Sequence, residues 1–325
     1  MSAYILRRVL YAIPILIGVN LLTFALFFVV NTPDDMARLQ LGAKHVTAEA
    51  IERWKVEHGY DKPLLLNTQA SGSAQLTDTI FFQHSAAMFA FRFGKSDDGR
   101  DIANEIRTRM GPSLAIALPV LVIGLLVNIT FALLMVFFRA TYLDLWGVVL
   151  CVVLMSISGL FYIIAGQYFI AKLWNLLPIS GFEGGIDGFR FILLPVLVSV
   201  VAGIGSGSRW YRTIFLEEIG KDYVRTARAK GLSELRVLFR HVLKNGMIPI
   251  LTGVVVVLPL LFMGSLITES FFGIPGLGSY TIDAIQAQDF SVVRAMVFLG
   301  SFLYIIGLIL TDISYSWVDP RVRLQ

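Results

Sequence analysis

Long apolar stretches separated by short polar ones run along most of this chain. Six stretches contain no Asp, Glu, Lys, Arg or His, and they cover residues 9–30, 110–138, 145–171, 191–208, 245–268 and 295–311. Each approaches or exceeds the roughly 17–25 residues that a helix needs to cross the hydrocarbon core of a bilayer. The pattern predicts an all-α polytopic membrane protein with six transmembrane helices.

The composition indicates the same class of protein. Of the 325 residues, 56% are hydrophobic and only 15% are charged, and the mean hydropathy is +0.72. A soluble domain has about 45–50% apolar and about 25% charged residues, so a soluble enzyme is excluded. Cys151 is the only cysteine, which also excludes an internal disulfide and a metal site built from several thiolates.

The placement of Lys and Arg between the apolar stretches predicts the topology. Three basic residues fall in short outer loops if the N-terminus is cytoplasmic, namely Lys172, Arg190 and Arg294. Fourteen then fall on the cytoplasmic side, namely Arg7, Arg8, Arg139, Arg209, Arg212, Lys221, Arg225, Arg228, Lys230, Arg236, Arg240, Lys244, Arg321 and Arg323. Residues 31–109 are not counted, because long loops translocate largely regardless of charge. The positive-inside rule predicts that both termini are cytoplasmic.

The expected organisation has three parts. Residues 1–30 are an N-terminal tail and the first transmembrane helix, and residues 31–109 are one long extracytoplasmic segment between helices 1 and 2. Residues 110–325 form the membrane core, in which helices 2 to 6 cover residues 110–138, 145–171, 191–208, 245–268 and 291–312. A cytoplasmic hairpin occupies residues 209–244, and an outer-mouth segment occupies residues 269–290.

One short amphipathic helix is expected within the extracytoplasmic segment. Thr47 is placed to cap its N-terminus, and Gly59 follows it as a stop signal. Ile51, Trp54 and His58 recur at helical spacing between them, so they share one face.

The cytoplasmic segment predicts two short helices joined at a glycine. Asp222 is placed to cap a first helix over residues 223–230, and Gly231 is suited to the left-handed conformation that ends it. Ser233 is placed to cap a second helix, with Glu234 facing the positive end of the helix dipole. The first arm, eight residues at 1.5 Å per residue, is only about 12 Å long. A helix this short is marginal in water, so packing must hold it.

Patterns typical of catalysis are absent from the sequence. Gly94, Lys95 and Ser96 resemble the end of a phosphate-binding loop, but its first glycine would fall at Phe89. His45, His58, His84 and His241 have no paired spacing typical of metal ligands, and no G-x-S-x-G serine motif occurs. The basic cytoplasmic loop is explained by the positive-inside rule, so nucleic acid is not an expected partner. We expect no catalytic residue, no metal site and no cofactor in this chain.

Several segments resemble those of one transporter family. They are DYVRTARAKGLSELRVLFRHVLKNGMIP at residues 222–249, YDKP at 60–63, FGKS at 93–96, ESFFGIPGLG at 269–278 and DISYSWVDPR at 312–321. Over essentially its whole length the chain is similar to the inner-membrane permease subunits of ABC importers, in the branch for dipeptides, oligopeptides or nickel.

The resemblance implies a non-catalytic permease in a bacterial inner membrane. It would translocate short peptides or peptide-like solutes, with nickel chelates as the minor option. The implied partners are a second homologous permease, two ATP-binding subunits or one fused subunit, an extracytoplasmic solute-binding protein, and membrane lipid. ATP and Mg²⁺ would be bound by the ATPase subunits. The hairpin would dock on the ATPase through Tyr223, Arg225, Thr226, Ala227, Arg228, Ala229, Lys230, Gly231 and Leu232.

The hairpin departs from the general importer motif, EAA-x3-G-x9-I-x-L-P. Arg225, Thr226 and Ala227 stand at its EAA positions, and His241, Leu243 and Lys244 stand at its I, L and P positions. The departures are typical of the peptide branch. Independently of the resemblance, small Ala227 and Ala229 suit docking into a protein groove, since a basic helix on a membrane usually buries larger apolar residues.

A gate is expected at the outer-mouth segment. Phe271, Phe272, Ile274 and Leu277 are apolar, Pro275 and Gly276 break the helix, and Gly278 leaves room for close backbone approach. We predict that residues 270–284 fold back, with Glu269 and Asp283 facing the translocation path or a docked receptor. The alternative is an ordinary outer loop in which the acids are solvated.

Two other classes of protein stay open on the sequence alone. A secondary transporter or channel would work without ATPase partners, and ionisable residues forming a relay inside the spans would favour it. A membrane receptor with an outer sensing domain would use the basic hairpin to bind a signalling partner.

Overall fold

The computed structural model describes residues 2–42, 47–185 and 188–318. Within these ranges every regular element is a helix, apart from an isolated bridge between Lys95 and Asp101. The expected all-α class is therefore confirmed. His45, Arg321 and Arg323 lie outside the described residues.

Fourteen α-helices lie in these ranges. They are α1 (Ser2–Phe24), α2 (Pro33–Leu41), α3 (Ala48–His58), α4 (Ala74–Thr77), α5 (Ile102–Phe137), α6 (Tyr142–Ser156), α7 (Gly159–Gly166), α8 (Phe189–Ile219), α9 (Asp222–Ala229), α10 (Glu234–Val237), α11 (Lys244–Val257), α12 (Leu266–Phe272), α13 (Leu277–Ala287) and α14 (Phe290–Val318). Short π-helical or 3₁₀ stretches cover Ala25–Val30, Phe81–Ser85, Ala86–Ala90, Gln167–Leu173, Leu238–Leu243 and Pro259–Met263.

Among the described residues, five helical segments are long and apolar enough to cross a membrane. They are Leu6–Val30, Ile102–Phe137, Phe189–Ile219, Glu234–Met263 and Phe290–Ser314. The bent pair Tyr142–Ser156 and Gly159–Leu173 makes a sixth if it crosses as one span. Five or six such helices agree with the expected polytopic class.

The third apolar stretch is broken, whereas the sequence predicts one uninterrupted helix. The axes of its two helices differ by 87°. Ile157 (ψ 128°) and Ser158 (ψ 142°) are extended at the break, where Ser and Gly provide little helix propensity. The Tyr162 hydroxyl donates to the carbonyl of Leu154 at 2.8 Å, which satisfies an acceptor that the missing helical turn leaves free.

The fourth and fifth spans have different ends from those expected. α8 continues past residue 208 to Ile219, because Tyr211 and Phe215 recur at helical spacing and are buried. The hairpin therefore begins near residue 220 and not at 209. Its second arm is continuous with the fifth span, since helical backbone runs unbroken over Glu234–Met263. That span ends where Gly264 turns to φ +66°.

The chain divides into two compact units. The first contains residues up to 109 together with residues 280–309. Its core consists of Phe24, Phe28, Met36, Ala37, Ile51, Trp54, Tyr60 and Ile80. The helix expected from Thr47 to Gly59 is confirmed as α3: the Thr47 hydroxyl accepts from the Ala50 N–H at 3.3 Å, and Gly59 ends the helix at φ 69°.

Arg294 lies in the core of this first unit, although it was counted as an outer-loop residue. Its side chain is only 2% exposed. Nη2 donates to the Tyr60 hydroxyl at 2.9 Å, and the guanidinium carbon lies 4.6 Å from the centre of the Phe28 ring. Contacts with Tyr60 and Phe28, which are distant in the sequence, hold Arg294 in this core. A count of charges in the loops cannot predict contacts between distant residues.

The second unit contains residues 110–279 with residues from 310 onward. One buried cluster joins α7, α8 and α12 through residues including Ile163, Leu194, Val198 and Phe272. Another joins α5, α8, α9 and the Glu234–Met263 segment, and it includes Val136, Phe215, Val224, Val242 and Ile250. The hairpin belongs to this second cluster, so it packs against three long helices.

Candidate functional site

The first arm of the hairpin is α9, and it begins one residue earlier than expected. Lys221 is extended (φ −74°, ψ 152°) and Asp222 is the first helical residue. The prediction that Asp222 caps this helix is therefore wrong. Its exposed carboxylate lies 3.4 Å from Arg225 Nη1 instead, on the first turn, where a negative charge still favours the helix dipole.

The two arms are joined by a turn that needs glycine. The Gly231 N–H donates to the Arg228 carbonyl at 2.9 Å, and the Leu232 N–H donates to the Ala227 carbonyl at 3.4 Å. This pair of bonds is the Schellman motif. Gly231 has φ +78°, and a Cβ built there meets no atom within 4 Å. The expected left-handed turn is confirmed, and backbone conformation is what selects glycine there.

The residues expected to couple to an ATPase fall on different faces of the hairpin. Ala227, only 4% exposed, packs inward beside Val224 against α5, α8 and the Glu234–Met263 segment. Tyr223, Arg228 and Leu232 are half-buried. The exposed members are Arg225, Thr226, Ala229, Lys230 and Gly231. The small side chain of Ala229 is thus available at the surface, whereas that of Ala227 anchors α9 to its own membrane helices.

Two polar contacts that sequence reasoning missed brace α9 at its ends. Arg228 forms a two-point ion pair with Glu234 of the second arm, Nε–Oε1 at 2.7 Å and Nη2–Oε2 at 3.2 Å. At the other end, Glu218 of α8 accepts hydrogen bonds from Tyr223 and Lys221. Burial, and then the bond to Glu218, raises the pKa of Tyr223 to about 12. The sequence does contain a signal for the contact with Lys221, because Lys221 follows Glu218 by three positions, a spacing at which helical side chains meet.

A further ion pair connects the helices beside the hairpin. Arg212 of α8 contacts Asp144 of α6, with Nε–Oδ1 at 2.8 Å and Nη2–Oδ2 at 2.7 Å. Asp144 is buried in the first turn of α6. Nothing in the spacing along the sequence pairs two residues 68 positions apart.

The outer-mouth segment is organised around the Glu269 carboxylate, which is only 1% exposed. Oε1 accepts from the Ser265 N–H at 3.2 Å, and Oε2 accepts from the Ser279 N–H at 3.1 Å. Ser113 of α5 and the Gly278 N–H also hydrogen-bond to this carboxylate. Burial raises the pKa of Glu269, and these hydrogen bonds oppose the increase. The alternative interpretation, an ordinary outer loop in which this acid is solvated, is therefore wrong for Glu269.

Three glycines make room for this carboxylate and for the backbone beside it. A Cβ at Gly264 or Gly276 would overlap the carboxylate of Glu269, and one at Gly278 would lie 2.6 Å from the Ser265 carbonyl. The Ser113 hydroxyl accepts from the Leu277 N–H at 2.8 Å. Close backbone approach, expected at Gly278, is confirmed.

The other residues expected in the gate are divided between surface and interior. Phe271, Pro275 and Asp283 are exposed, whereas Phe272, Gly276 and Gly278 are buried. Gly273, at φ 63°, ends α12, and Pro275 separates it from α13. A break is therefore present at Pro275 and Gly276, but it separates the short helices α12 and α13 and does not end the fifth span, which stops at Met263.

A cavity of about 650 Å³ adjoins Glu269 within the second unit. Its lining is mainly apolar and comes from α5, α7, α8, the end of the fifth span and α12. Polar groups at its wall come from Ser113, Ser158, Ser199, Ser265, Thr268 and Glu269. Ser113 lies inside a predicted apolar span, and nothing in the sequence around it indicates that its hydroxyl would bond to Glu269. Among the described residues, no cluster of three His, Cys, Asp or Glu side chains has a metal-binding arrangement.

Comparisons with known proteins agree with this architecture. Residues 114–324 match the family model described as binding-protein-dependent transport system inner membrane component, and residues 1–117 match the corresponding N-terminal model. A putative peptide transport system permease protein of Brucella abortus (strain 2308) is 32% identical over 99% of both chains.

Two further relatives are similar over the same extent. The dipeptide transport system permease protein DppB of Escherichia coli (strain K12) is 29% identical over 99% of both chains. The oligopeptide transport system permease protein AppB of Bacillus subtilis (strain 168) is 26% identical over 99% of this chain and 100% of its own. With its helical membrane core matched by the family model, this chain belongs to the binding-protein-dependent transport system inner membrane components, which are non-catalytic membrane subunits.

Proposed function

We propose that this chain is one permease subunit of an ATP-driven importer for short peptides or peptide-like solutes. Membership of the binding-protein-dependent family supports the importer, and the relatives from Brucella, Escherichia coli and Bacillus support the substrate class, since each is named for peptide transport. A solute-binding protein would deliver the peptide outside.

The proposed orientation places the hairpin and both termini in the cytoplasm and residues 31–109 outside. The excess of Lys and Arg in the short cytoplasmic segments supports it. A second homologous permease would complete the translocation path, and two ATP-binding subunits, or one fused subunit, would bind ATP and Mg²⁺ and hydrolyse the ATP.

The packing of α9 is the observation that carries the proposed coupling role. Val224 and Ala227 share one buried cluster with Val136 of α5, Phe215 of α8 and Ile250 of α11. A force on the exposed residues of α9, such as Thr226 and Ala229, would therefore reach three membrane helices at once. Protein interiors are close-packed and have low compressibility, so they transmit displacement rather than absorb it.

In this proposal the cavity beside Glu269 forms part of the translocation path, and the outer-mouth segment is the gate of that path. The apolar lining suits a solute whose side chains vary. Glu269 already receives its hydrogen bonds from protein groups, and a solute amine would have to displace them. We therefore assign Glu269 to holding α12 and α13 in place rather than to binding the peptide.

Reconstitution of the complete system tests this function. Vesicles that contain this chain with its permease partner, the ATPase subunits and the solute-binding protein are expected to take up peptide only with ATP. The purified chain alone is expected to hydrolyse no ATP and to import nothing. Uptake by this chain alone, driven by a proton gradient, would contradict the proposal and establish a secondary transporter.

A further inference from the structure

Four basic residues of the hairpin region are paired with a carboxylate, and the other basic residues of that region, which include three that lie together, are not paired with any acid in the described part of the chain. The pairs are Arg212 with Asp144, Lys221 with Glu218, Arg225 with Asp222, and Arg228 with Glu234. The three unpaired residues that lie together are Lys230, Arg236 and Arg240. These three charges remain available to a ligand from outside the chain.

These three residues line one groove between the arms of the hairpin. The groove has a volume of about 510 Å³, and its other walls come from Tyr223, Thr226, Ala227, Leu232 and His241. Two guanidinium groups and one ammonium around a space of this size suit an anion that accepts several hydrogen bonds, such as a phosphate ester.

Large apolar side chains are exposed on the second arm beside this groove. Leu235 is 55% exposed and Phe239 is 57% exposed. They lie four positions apart, each directly before an arginine, Arg236 or Arg240. Exposed aromatic and aliphatic residues next to Arg are typical of helices that lie in a membrane interface. The exposed residues of α9 include Thr226 and Ala229, which offer little apolar surface to a lipid.

We infer that the second arm, Glu234 to Leu243, meets the cytoplasmic leaflet where it runs into the fifth span, and that its groove binds the phosphate of an anionic phospholipid. Leu235 and Phe239 enter the acyl boundary, while Arg236, Arg240 and Lys230 surround the headgroup. The helical continuity of this arm with the fifth span places it next to the bilayer. Basic pockets at cytoplasmic helix ends bind anionic headgroups in this way. The inference rests on the cytoplasmic placement of the hairpin proposed above.

Lipid selection by the purified full-length chain tests this site. The chain in detergent is mixed with equal amounts of phosphatidylglycerol and phosphatidylcholine, and retained lipid is counted by native mass spectrometry. We expect enrichment of phosphatidylglycerol. Arg236→Gln with Arg240→Gln is expected to lower that enrichment by about fivefold for each charge removed, whereas Arg236→Lys with Arg240→Lys retains most of it.

A matched control removes two exposed basic residues outside the groove, Arg209→Gln with Lys244→Gln, and should leave the enrichment unchanged. Equal enrichment in the wild-type chain and the Arg236 and Arg240 variant would overturn the lipid site, as would an equal loss in the control. Unchanged enrichment combined with lost ATPase stimulation in the complete transporter would assign the groove to the ATPase instead. The detergent measurement needs neither ATP nor partners nor orientation, so its failure is distinct from failure of the transport proposal.

Discussion

Arg228 and Glu234 face each other across the Gly231 turn and form a two-point ion pair with distances of 2.7 and 3.2 Å. The pair joins the last turn of α9 to the first turn of α10, so it fixes the angle between the arms together with the turn itself. The positive charge of Arg228, expected on a docking face, is instead neutralised within the hairpin.

If this pair sets the angle, Arg228→Ala and Glu234→Ala should impair transport through the same interaction. We expect the double variant to lose no more ATPase stimulation than either single variant. Exposed ion pairs contribute about 0–1 kcal/mol, so each single loss should not exceed about fivefold. Arg225→Ala with Glu234→Ala is the control. Its losses should multiply, because Arg225 pairs with Asp222. Multiplicative losses for Arg228 and Glu234 as well would argue against a shared role.

We expect ATPase stimulation and uptake to require Gly231 because of its left-handed backbone conformation. Gly231→Val should abolish ATPase stimulation and uptake, since a Cβ in the left-handed region costs roughly 1–2 kcal/mol and a branched one more, whereas insertion of the spans should be normal. Gly231→Asn is the matched control and should retain most activity, because Asn tolerates this conformation and the site has open space. Full activity of the Gly231→Val protein would contradict the proposed coupling role of the hairpin.

Replacement of Glu269 should loosen the outer-mouth segment. In Glu269→Gln the amide places an NH₂ against a backbone N–H donor of Ser265 or Ser279, and a buried unsatisfied group costs about 1–3 kcal/mol. We expect a lower Tm in detergent and reduced uptake. Asp283→Asn, at an exposed position, should change Tm little and reports separately on contact with the solute-binding protein. Unchanged uptake in both variants would remove both acids from the gate.

Thiol labelling tests the proposed orientation. Ser73 and Ser233 are both exposed, so a cysteine at either is accessible to reagent on its own side of the membrane. An impermeant reagent added outside intact cells should label Ser73→Cys but not Ser233→Cys. Native Cys151 is buried and should remain unlabelled in both. The reverse pattern would contradict cytoplasmic placement of the hairpin.

Acidification should destabilise the first unit through His84. Burial, and then the charge of Arg294, lowers the pKa of His84 to about 4, from an ordinary value of about 6.5. Because the unfolded chain takes up this proton first, its contribution to stability is complete above about pH 6.5 and is lost as the pH falls toward 4. We expect proteolysis of residues 31–109 to accelerate over that range, and His84→Gln to remove part of the acceleration.

His58 provides a control of opposite sign. Its hydrogen bond to Asp97 raises the pKa of His58, so this histidine adds stability below about pH 6.5 and loses it as the pH rises through the higher folded value. His58→Gln should therefore make the acid-induced proteolysis faster. If His84→Gln and His58→Gln shift the pH profile in the same direction, the assigned environments are wrong.

Local signals in the sequence predicted several local features, although Asp222 is not a cap and the Ser233 side chain makes no capping hydrogen bond. The cap at Thr47, the helix stop at Gly59 and the left-handed turn at Gly231 depend on a few neighbouring residues, and all three are confirmed. Apolar stretches likewise predicted five helices of membrane-spanning length, because hydrophobicity largely decides that property, but they did not predict the break at Ile157 and Ser158.

Long-range contacts account for what the sequence did not predict. Nothing adjacent to Glu269 indicates that Ser113 and Ser279 would enclose its carboxylate, and nothing adjacent to Arg228 assigns it to Glu234. The extension of α8 to Ile219 depends on Phe215 fitting beside Gly246, whose Cβ position lies 2.6 Å from that ring. Such choices depend on neighbours that only the folded chain brings together.

The unbroken helix from Glu234 to Met263 gives the hairpin and the outer-mouth segment a mechanical relation. Its 30 residues, at 1.5 Å each, form a rod about 45 Å long. A tilt of about 5° around its cytoplasmic end would sweep its far end through about 4 Å. That far end is Gly264, whose backbone lies against the Glu269 carboxylate. If the hairpin docks on an ATPase as proposed, a rotation of this helix by a few degrees at its cytoplasmic end would displace the opposite end by more than the length of a hydrogen bond.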